Sequence, residues 1–296
     1  AIVINPDYGE AHNNLGLTLY ELGSTAEAEE SYRKALNILP DRAEIHFNLG
    51  NLMRGTTRLD QAQTSFQNAL SLTSAYPEAH YNLGLVLHDL GKLEEAETHY
   101  EKALALQPES AEIYNDLGNT VWALGDAETA AANYKKALSL KPNYPEAHNN
   151  LAALYQIHRR FEEAHAGIQK ALSLRPRYAD AYNTLANILC DQGKYHEAIQ
   201  QLDVAISHKP KKDGWRIKRS LLLPIIPSSI QEIEDCRANL SQAIENLQKT
   251  KLSVADPILE VGMTNFFLAY HNHNNKVLME KIARFYIKTC PKLSFE

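Results

Sequence analysis

The chain has 296 residues, of which 44% are hydrophobic and 22% charged, and its formal net charge is −6 at pH 7. The charge is uneven, because residues 1–212 carry −8 and residues 213–296 carry +2. Nucleic-acid-binding proteins present basic surfaces to the phosphate backbone, so the acidic balance argues against a DNA or RNA partner. No stretch approaches the 18 consecutive apolar residues of a membrane-spanning helix, and we therefore expect no membrane partner.

Three cysteines, Cys190, Cys236 and Cys290, are widely spaced and odd in number. This usage is typical of reduced thiols, so the sequence predicts a cytoplasmic protein without disulfides. The cysteines have no spacing that would suggest a metal site.

A pattern of 34 residues recurs six times between residues 9 and 212. With each copy numbered 1 to 34, position 7 is leucine, position 8 is glycine or alanine, and positions 20 and 27 are alanine. Position 32 is proline in five copies. This pattern is the tetratricopeptide repeat (TPR) signature, in which each repeat is a helix pair that packs against its neighbours. The six repeats span 9–42, 43–76, 77–110, 111–144, 145–178 and 179–212.

Apolar spacing predicts two amphipathic helices in each repeat, at about positions 2–14 and 18–30. We therefore predict an all-α fold, a right-handed TPR superhelix (α-solenoid), in which small side chains at positions 8, 20 and 27 pack beside rings at position 24. Glycine at position 15 suits the left-handed end of the first helix. Because Thr57 and Arg159 replace that glycine in repeats two and five, we expect less regular turns there.

Asparagine recurs at two positions of the first helix. At position 6 it forms a possible ladder along the concave side of the superhelix, where amides can hold the backbone of an extended polypeptide. The alternative is that asparagine is simply tolerated at an exposed helix position. Position 9 is asparagine only in even repeats, which indicates a 68-residue pair copied in tandem and a binding pattern that alternates. The position 6 residues are Asn14, Asn48, Asn82, Asp116, Asn150 and Thr184, and the position 9 asparagines are Asn51, Asn119 and Asn187.

Other candidate residues have structural interpretations. Trp122 lies near the groove and is either a binding anchor or part of the helix packing. Position 4 is histidine in four repeats and tyrosine in two, which favours packing over a metal site, because adjacent repeats are too far apart to share one ion. We interpret His271 and His273 as loop histidines, because they lack a catalytic partner with a recognisable spacing. The sequence therefore predicts no catalytic residue, metal or cofactor in this chain.

Both ends of the array depart from the repeat. Residues 1–8 match positions 27–34 of a preceding repeat, so we expect the chain to begin inside a repeat, with an uncovered apolar face that could cause self-association. Residues 213–296 predict a helical segment that caps the stack. It contains a helix resembling the first helix of a seventh repeat, a long helix capped by Ser228 or Ser229, and a final helix ending near Thr289.

Two groups of residues resemble one TPR family more specifically. The segments EAHNNLG with Asn14 and EAHYNLG with Asn82 are similar to repeats of the protein O-GlcNAc transferases, which carry asparagines along their inner surface. The tail resembles the linker of bacterial SPINDLY-type members of that family. Its matching stretches are SLLLPIIPSS (220–229), DPILEVGMTNFFLAYHNHNN (256–275) and KIARFYIKTCPKL (281–293).

The resemblance implies that a two-lobed GT-B catalytic region follows Glu296 and that the nucleotide-sugar donor binds only there. The chain itself is then the module that recognises extended polypeptide substrates for sugar transfer to Ser or Thr. The alternative is a non-enzymatic TPR adaptor or scaffold for protein complex assembly. Asp116 and Thr184 depart from the family's asparagine ladder.

Overall fold

The computed structural model describes residues 5–223, 229–262, 275–290 and 293. Residues 1–4 of the predicted N-terminal remnant, Ser228, His271 and His273 lie outside these ranges. The described part is helical. Its helices are α1 (Gly9–Glu21), α2 (Thr25–Ile38), α3 (Ala43–Gly55), α4 (Leu59–Leu72), α5 (Pro77–Asp89), α6 (Leu93–Leu106), α7 (Ala111–Ala123), α8 (Ala127–Leu140), α9 (Pro145–Ile157), α10 (Phe161–Leu174), α11 (Ala179–Asp191), α12 (Tyr195–His208), α13 (Asp213–Leu221), α14 (Ile230–Gln248), α15 (Pro257–Glu260) and α16 (Lys276–Thr289).

Each repeat contributes a first helix of 13 residues and a second helix of 14 residues. The chain divides into two compact units, residues 1–147 and 148–296. In the first unit each second helix packs against the first helix of its own repeat and, for α2, α4 and α6, against that of the next. The first helices α1, α3, α5 and α7 also contact one another in order. This unit therefore has one layer of first helices and one of second helices.

In repeats one to four, glycine at position 8 lies against an aromatic ring at position 24. A Cβ atom added to Gly84 would lie 2.7 Å from Tyr100, whose side chain is fully buried. The other three pairs show the same 2.7 Å approach, so the ring occupies the space that a side chain at position 8 would need. They are Gly16 with Tyr32, Gly50 with Phe66, and Gly118 with Tyr134.

Repeats five and six solve the same packing problem with different residues. Position 8 is Ala152 or Ala186, and position 24 is Ile168 or Leu202. All four side chains are buried. In these two repeats, alanine replaces glycine on the first helix and an aliphatic side chain replaces the aromatic ring on the second helix. The larger residue at position 8 is thus matched by a smaller one at position 24, and the space between the helices stays filled. The predicted small-against-large packing is thus confirmed, and it takes two forms.

The turns of repeats two and five are not less regular than the others, so that prediction was wrong. Thr57 and Arg159 adopt positive φ angles of 58° and 56°, like Gly91 at 75° in repeat three. The hydrogen bonds also match, because Arg58 N donates to Met53 O at 2.9 Å, as Lys92 N donates to Leu87 O at 2.8 Å. The repeat imposes the left-handed turn even where the residue disfavours it.

The tail in the second unit continues the stack and then departs from it. Trp215 on α13 is buried with Ala179 and Ala205 of repeat six, so α13 covers that repeat as a further first helix. Ser229 caps α14 by accepting a hydrogen bond from the Glu232 amide at 3.1 Å. Ile230, the first residue of α14, is 73% exposed. Buried residues of α13, α14 and α16 form one core, with Ile217, Leu221, Leu240, Ile244, Leu278, Ile282 and Phe285.

Candidate functional site

The position 6 side chains lie on the first helices, next to the position 7 leucines. In the first unit Asn14 is exposed, and the row runs from it through the partly buried Asn48, Asn82 and Asp116. Asn150, in the second unit, is also partly buried. We call the surface formed by these side chains within each unit the first-helix face.

Two of the ladder amides use their nitrogen internally. The Asn48 amide nitrogen donates to Asn13 Oδ1 at 3.0 Å and so links the first helices α1 and α3. The Asn82 amide nitrogen donates to the Glu78 carbonyl of its own helix at 2.8 Å. Each of these side chains keeps a carbonyl oxygen for another donor.

Asp116, the charged member of the row, is held by two donors. The Tyr81 hydroxyl donates to Oδ2 at 2.7 Å, and the Asn115 amide donates to Oδ1 at 3.1 Å. Burial raises the pKa of the Asp116 carboxyl, while the hydrogen bonds from Tyr81 and Asn115 oppose that rise. The Tyr81 contact joins α5 to α7, so Asp116 has a structural role within the face.

The position 9 asparagines serve packing in two of three cases. Asn119 Oδ1 accepts a hydrogen bond from the buried Tyr134 hydroxyl at 2.8 Å. Asn187 Oδ1 accepts from the buried Lys218 ammonium on α13, and burial lowers the pKa of that ammonium. Asn51 is partly buried, and its backbone carbonyl accepts from Tyr20 at 3.5 Å. The alternating binding pattern stays a prediction.

A second row of asparagines, at position 5 of the repeat, was not predicted from the sequence. Position 5 is Asn13, Asn115, Asn149 and Asn183 in four repeats, and three of these side chains are less than 8% exposed. Asn13 and Asn115 hydrogen-bond the position 6 residues Asn48 and Asp116. The recurrence of asparagine at position 5 was the signal that could have revealed this supporting row.

The position 4 residues of repeats one, two, three and six hydrogen-bond the loop that precedes their first helix, which agrees with a structural role. Nitrogen Nε2 of His46 lies 2.9 Å from the Pro40 carbonyl oxygen, and the Tyr182 hydroxyl donates to the Pro176 carbonyl at 3.2 Å. Trp122 on α7 is partly buried. Its two alternatives, anchor and packing, both remain predictions.

Repeat three has an additional histidine contact. Nδ1 of His80 lies 3.0 Å from Nδ1 of His99, and His80 Nε2 lies 3.0 Å from the Ser74 carbonyl. Burial and then the neighbouring charge of His80 lower the pKa of His99 to about 4. Burial also lowers the pKa of His80. The pair is therefore a neutral structural contact near pH 7.

The described ranges lack a metal-binding cluster and a membrane-spanning helix. There, no cluster of three or more His, Cys, Asp or Glu side chains is placed to hold a metal ion. The helices of the same ranges include none with the length and apolar character needed to cross a membrane. Burial raises the pKa of the Cys190 thiol to about 11, so this thiol is not an activated nucleophile.

Solved structures similar to this chain share its helical repeat fold. A tetratricopeptide repeat protein from Parabacteroides merdae ATCC 43184 has a TM-score of 0.68 at 18% identity, over 94% of this chain and 98% of that chain. PilF of Pseudomonas aeruginosa has a TM-score of 0.57 at 23% identity, over 78% and 96%. A thermophilic TPR protein of Thermus thermophilus has a TM-score of 0.53 at 25% identity, over 60% and 96%.

The family comparison agrees with the fold. No curated protein matches the sequence. Tetratricopeptide repeat models match residues 41–106, 76–143, 133–166 and 168–200, and a TPR repeat model matches residues 17–54. The matches together cover residues 17–166 and 168–200, which lie within the helix pairs α1 to α12. The chain therefore belongs to the tetratricopeptide-repeat family of helical repeat proteins.

Proposed function

We propose that the first-helix face binds an extended polypeptide. The observation that carries this proposal is the row of amide side chains at one position of successive repeats. Asn48 and Asn82 keep their carbonyl oxygens unoccupied by the contacts described above. A peptide backbone offers an N–H donor and a carbonyl acceptor at each residue, so a row of amides can hold it with little dependence on its side chains.

The same proposal assigns the bound polypeptide a role as substrate for protein O-glycosylation. Its support is the resemblance of the tail and the ladder segments to SPINDLY-type transferases. On this proposal the chain recognises the substrate, and a GT-B region with its own nucleotide-sugar donor transfers the sugar to Ser or Thr. The proposal includes a cytoplasmic location, which is supported by the three free cysteines Cys190, Cys236 and Cys290.

Peptide binding is tested with a fluorescein-labelled, uncharged Ser/Thr-rich peptide of about 20 residues with both ends capped. Replacing Asn14, Asn48, Asn82 and Asn150 by alanine should weaken binding at least about tenfold, since each neutral hydrogen bond contributes about 0.5–1.5 kcal/mol. A matched control replaces four amides of the second helices and should bind as the unmodified chain does. These control residues are Asn37, Gln67, Gln169 and Gln200. Equal affinity for both variants would reject the face as the binding surface.

The glycosylation role needs a separate assay. The complete gene product should transfer sugar to Ser or Thr of a protein substrate, and the four-alanine ladder variant should transfer it more slowly at low substrate concentration. If the peptide binds but no sugar is transferred from any nucleotide sugar tested, the adaptor or scaffold alternative is favoured. The TPR fold by itself supports that alternative equally well.

Self-association through α1 is a further part of the proposal. Leu15 is 39% exposed, whereas its equivalent Leu83 in repeat three is 1% exposed, and Leu22 in the same repeat as Leu15 is 75% exposed. Exposed apolar side chains favour association of two copies. We expect Leu15→Gln with Leu22→Gln to lower the apparent mass at high concentration in sedimentation velocity. An unchanged concentration dependence would exclude α1 as the contact.

A further inference from the structure

Arg54 is exceptional among the residues of the first helices. The six first helices, all of them described by the structure, contain no other arginine and no lysine. Arg54 stands at position 12 of repeat two, where the other repeats have uncharged or weakly basic residues. Those residues are Tyr20, His88, Trp122, Gln156 and Cys190. The first helices therefore carry a single fixed positive charge, at Arg54.

Position 12 faces the first helix of the following repeat. The Tyr20 hydroxyl donates to the Asn51 carbonyl of α3 at 3.5 Å, and His88 Nδ1 lies 2.9 Å from the Thr120 hydroxyl of α7. The equivalent direction takes Arg54 toward α5. Burial raises the pKa of the Tyr81 phenol on α5, and the positive charge of Arg54 opposes that rise, which places the two side chains near each other.

Arg54 makes no ion pair within the described ranges of the chain. Its Nε atom is buried and makes no hydrogen bond there, although an arginine side chain has five N–H donors. In repeat five the position 12 residue Gln156 donates to Asp191 at 2.7 Å, and the residue equivalent to Asp191 on the helix after Arg54 is Asp89. No described contact joins Arg54 to Asp89. A buried donor without a partner is unfavourable. The Arg54 side chain as a whole is only partly buried, so part of it remains open to an incoming anion.

We propose that Arg54 binds a side-chain carboxylate, from Asp or Glu, of the polypeptide on the first-helix face. This inference rests on the proposed peptide-binding function and adds a preference to it. A guanidinium binds a carboxylate through two parallel hydrogen bonds, which gives specificity as well as attraction. Helix α3, which carries Arg54, has α1 before it and α5 and α7 after it in the layer of first helices. A polypeptide that lies along this layer continues past Arg54 in both directions, so the group that Arg54 binds is a side chain and not a chain terminus.

The test compares three peptides of the Ser/Thr-rich probe type. The first has a central Glu and capped ends, the second has a central Gln and capped ends, and the third has a central Gln and a free C-terminal carboxylate. The unmodified chain should bind the Glu peptide about tenfold more tightly than the capped Gln peptide, as expected for a charge-assisted pair. Arg54→Gln should abolish the difference. The control Lys102→Gln, which removes an exposed positive charge from α6, should keep it.

Two results of this comparison would overturn the assignment. One is an unchanged preference for the Glu peptide in the Arg54→Gln variant. The other is binding of the free-carboxylate peptide as tight as that of the Glu peptide, which would assign Arg54 to a chain terminus.

A second measurement separates this inference from the proposed function. N-acetyl-glutamate N′-methylamide is titrated into the chain, and the Nε–H resonance of Arg54 is followed by NMR, assigned by its loss in Arg54→Gln. A saturable shift without binding of any peptide would support the carboxylate site and overturn the peptide-binding face. Peptide binding without a shift and without a Glu preference would overturn the carboxylate site alone. Absence of both effects would overturn both proposals.

Discussion

Repeats one to four and repeats five and six build the same helix pair from different packing partners. The first four place a ring against glycine, as Tyr100 lies against Gly84, and the last two place an aliphatic side chain at the ring position and alanine at the glycine position, as with Ile168 and Ala152. The two positions change together because they share one space between the helices. This difference teaches that volume across the pair, and not the identity of either residue, determines whether the helices fit.

The first-helix face does not follow this division. Asn82 stands in a glycine–ring repeat and Asn150 in an alanine–aliphatic repeat, so the ladder amide is the same in both packing types. The packing residue at position 8, two residues after the ladder asparagine, is Gly84 in repeat three and Ala152 in repeat five. The choice of glycine or alanine at position 8 therefore does not determine the asparagine at position 6.

The largest expected effect comes from mixing the two packing types. Gly84→Ala places a methyl group 2.7 Å from the buried Tyr100 ring, and we expect a loss of about 2 kcal/mol in the free energy of unfolding measured in urea. Tyr100→Leu alone leaves a cavity and loses about 3 kcal/mol. The double variant adopts the pairing of repeat six, so it should lose at least about 1 kcal/mol less than the sum of the single variants.

The control for this comparison is Ala152→Gly in repeat five, which removes a methyl group without creating a clash. It should lose about 1 kcal/mol, from the missing contact and from the greater flexibility of glycine. Additive losses in the Gly84 and Tyr100 variants would contradict the shared-space account of the two repeat types.

A smaller change in the free energy of unfolding is expected at the turns within the repeats, where position 15 is glycine in four repeats and Thr57 or Arg159 in the other two. Thr57→Gly and Arg159→Gly should each stabilise the fold by about 1 kcal/mol, because a side chain disfavours the left-handed conformation that both residues adopt. The reverse change, Gly91→Ala, should destabilise it by a similar amount. Urea unfolding of the three variants measures both directions, and a destabilised Thr57→Gly would show that the threonine side chain contributes more than its backbone strain.

The pH dependence distinguishes repeat three from repeats one and two. The pKa of His99 is lowered to about 4 in the folded chain, whereas an unfolded histidine titrates near 6.5. The unfolded state therefore binds more protons between these values, so the contribution of neutral His99 is complete above about pH 6.5 and is lost as the pH falls toward 4. His99→Ser, which introduces the residue found at Ser31 and Ser65, should flatten the decrease in unfolding free energy over this range.

Unfolding measured at intervals from about pH 7 to about pH 4 checks this prediction. His46→Gln serves as the control, because His46 contacts the Pro40 carbonyl and has no histidine partner among the described residues. An equal slope for the unmodified chain and His99→Ser would exclude the His80–His99 contact as its source.

The sequence predicted the fold well because the 34-residue period carries it. Helix positions, the left-handed glycine at Gly91 and the cap at Ser229 all follow from local rules that repeat or stand alone. The turn at Thr57 was misjudged because neighbouring helices impose a conformation that residue preference opposes. The contact between Tyr81 and Asp116 joins side chains 35 residues apart, and no local pattern reports such a contact.

The candidate site was predicted only in part for a similar reason. Position 6 was visible as a recurring asparagine, but its exposure and its internal hydrogen bonds depend on how adjacent first helices meet. The structure alone revealed that Asn48 donates to Asn13 and that the buried Nε atom of Arg54 has no acceptor in the described part of the chain. Both facts are properties of helix pairs and not of any single repeat.

The central claim is that the ladder amides contact a bound polypeptide, and side-chain amide NMR tests it most directly. Titrating the capped Ser/Thr-rich peptide should shift the Nδ2 resonances of Asn14, Asn48, Asn82 and Asn150 in a saturable way. The resonances of Asn37 and Asn133, on the second helices, should stay unchanged. Shifts confined to the second helices, or binding that leaves all four ladder resonances in place, would contradict the account.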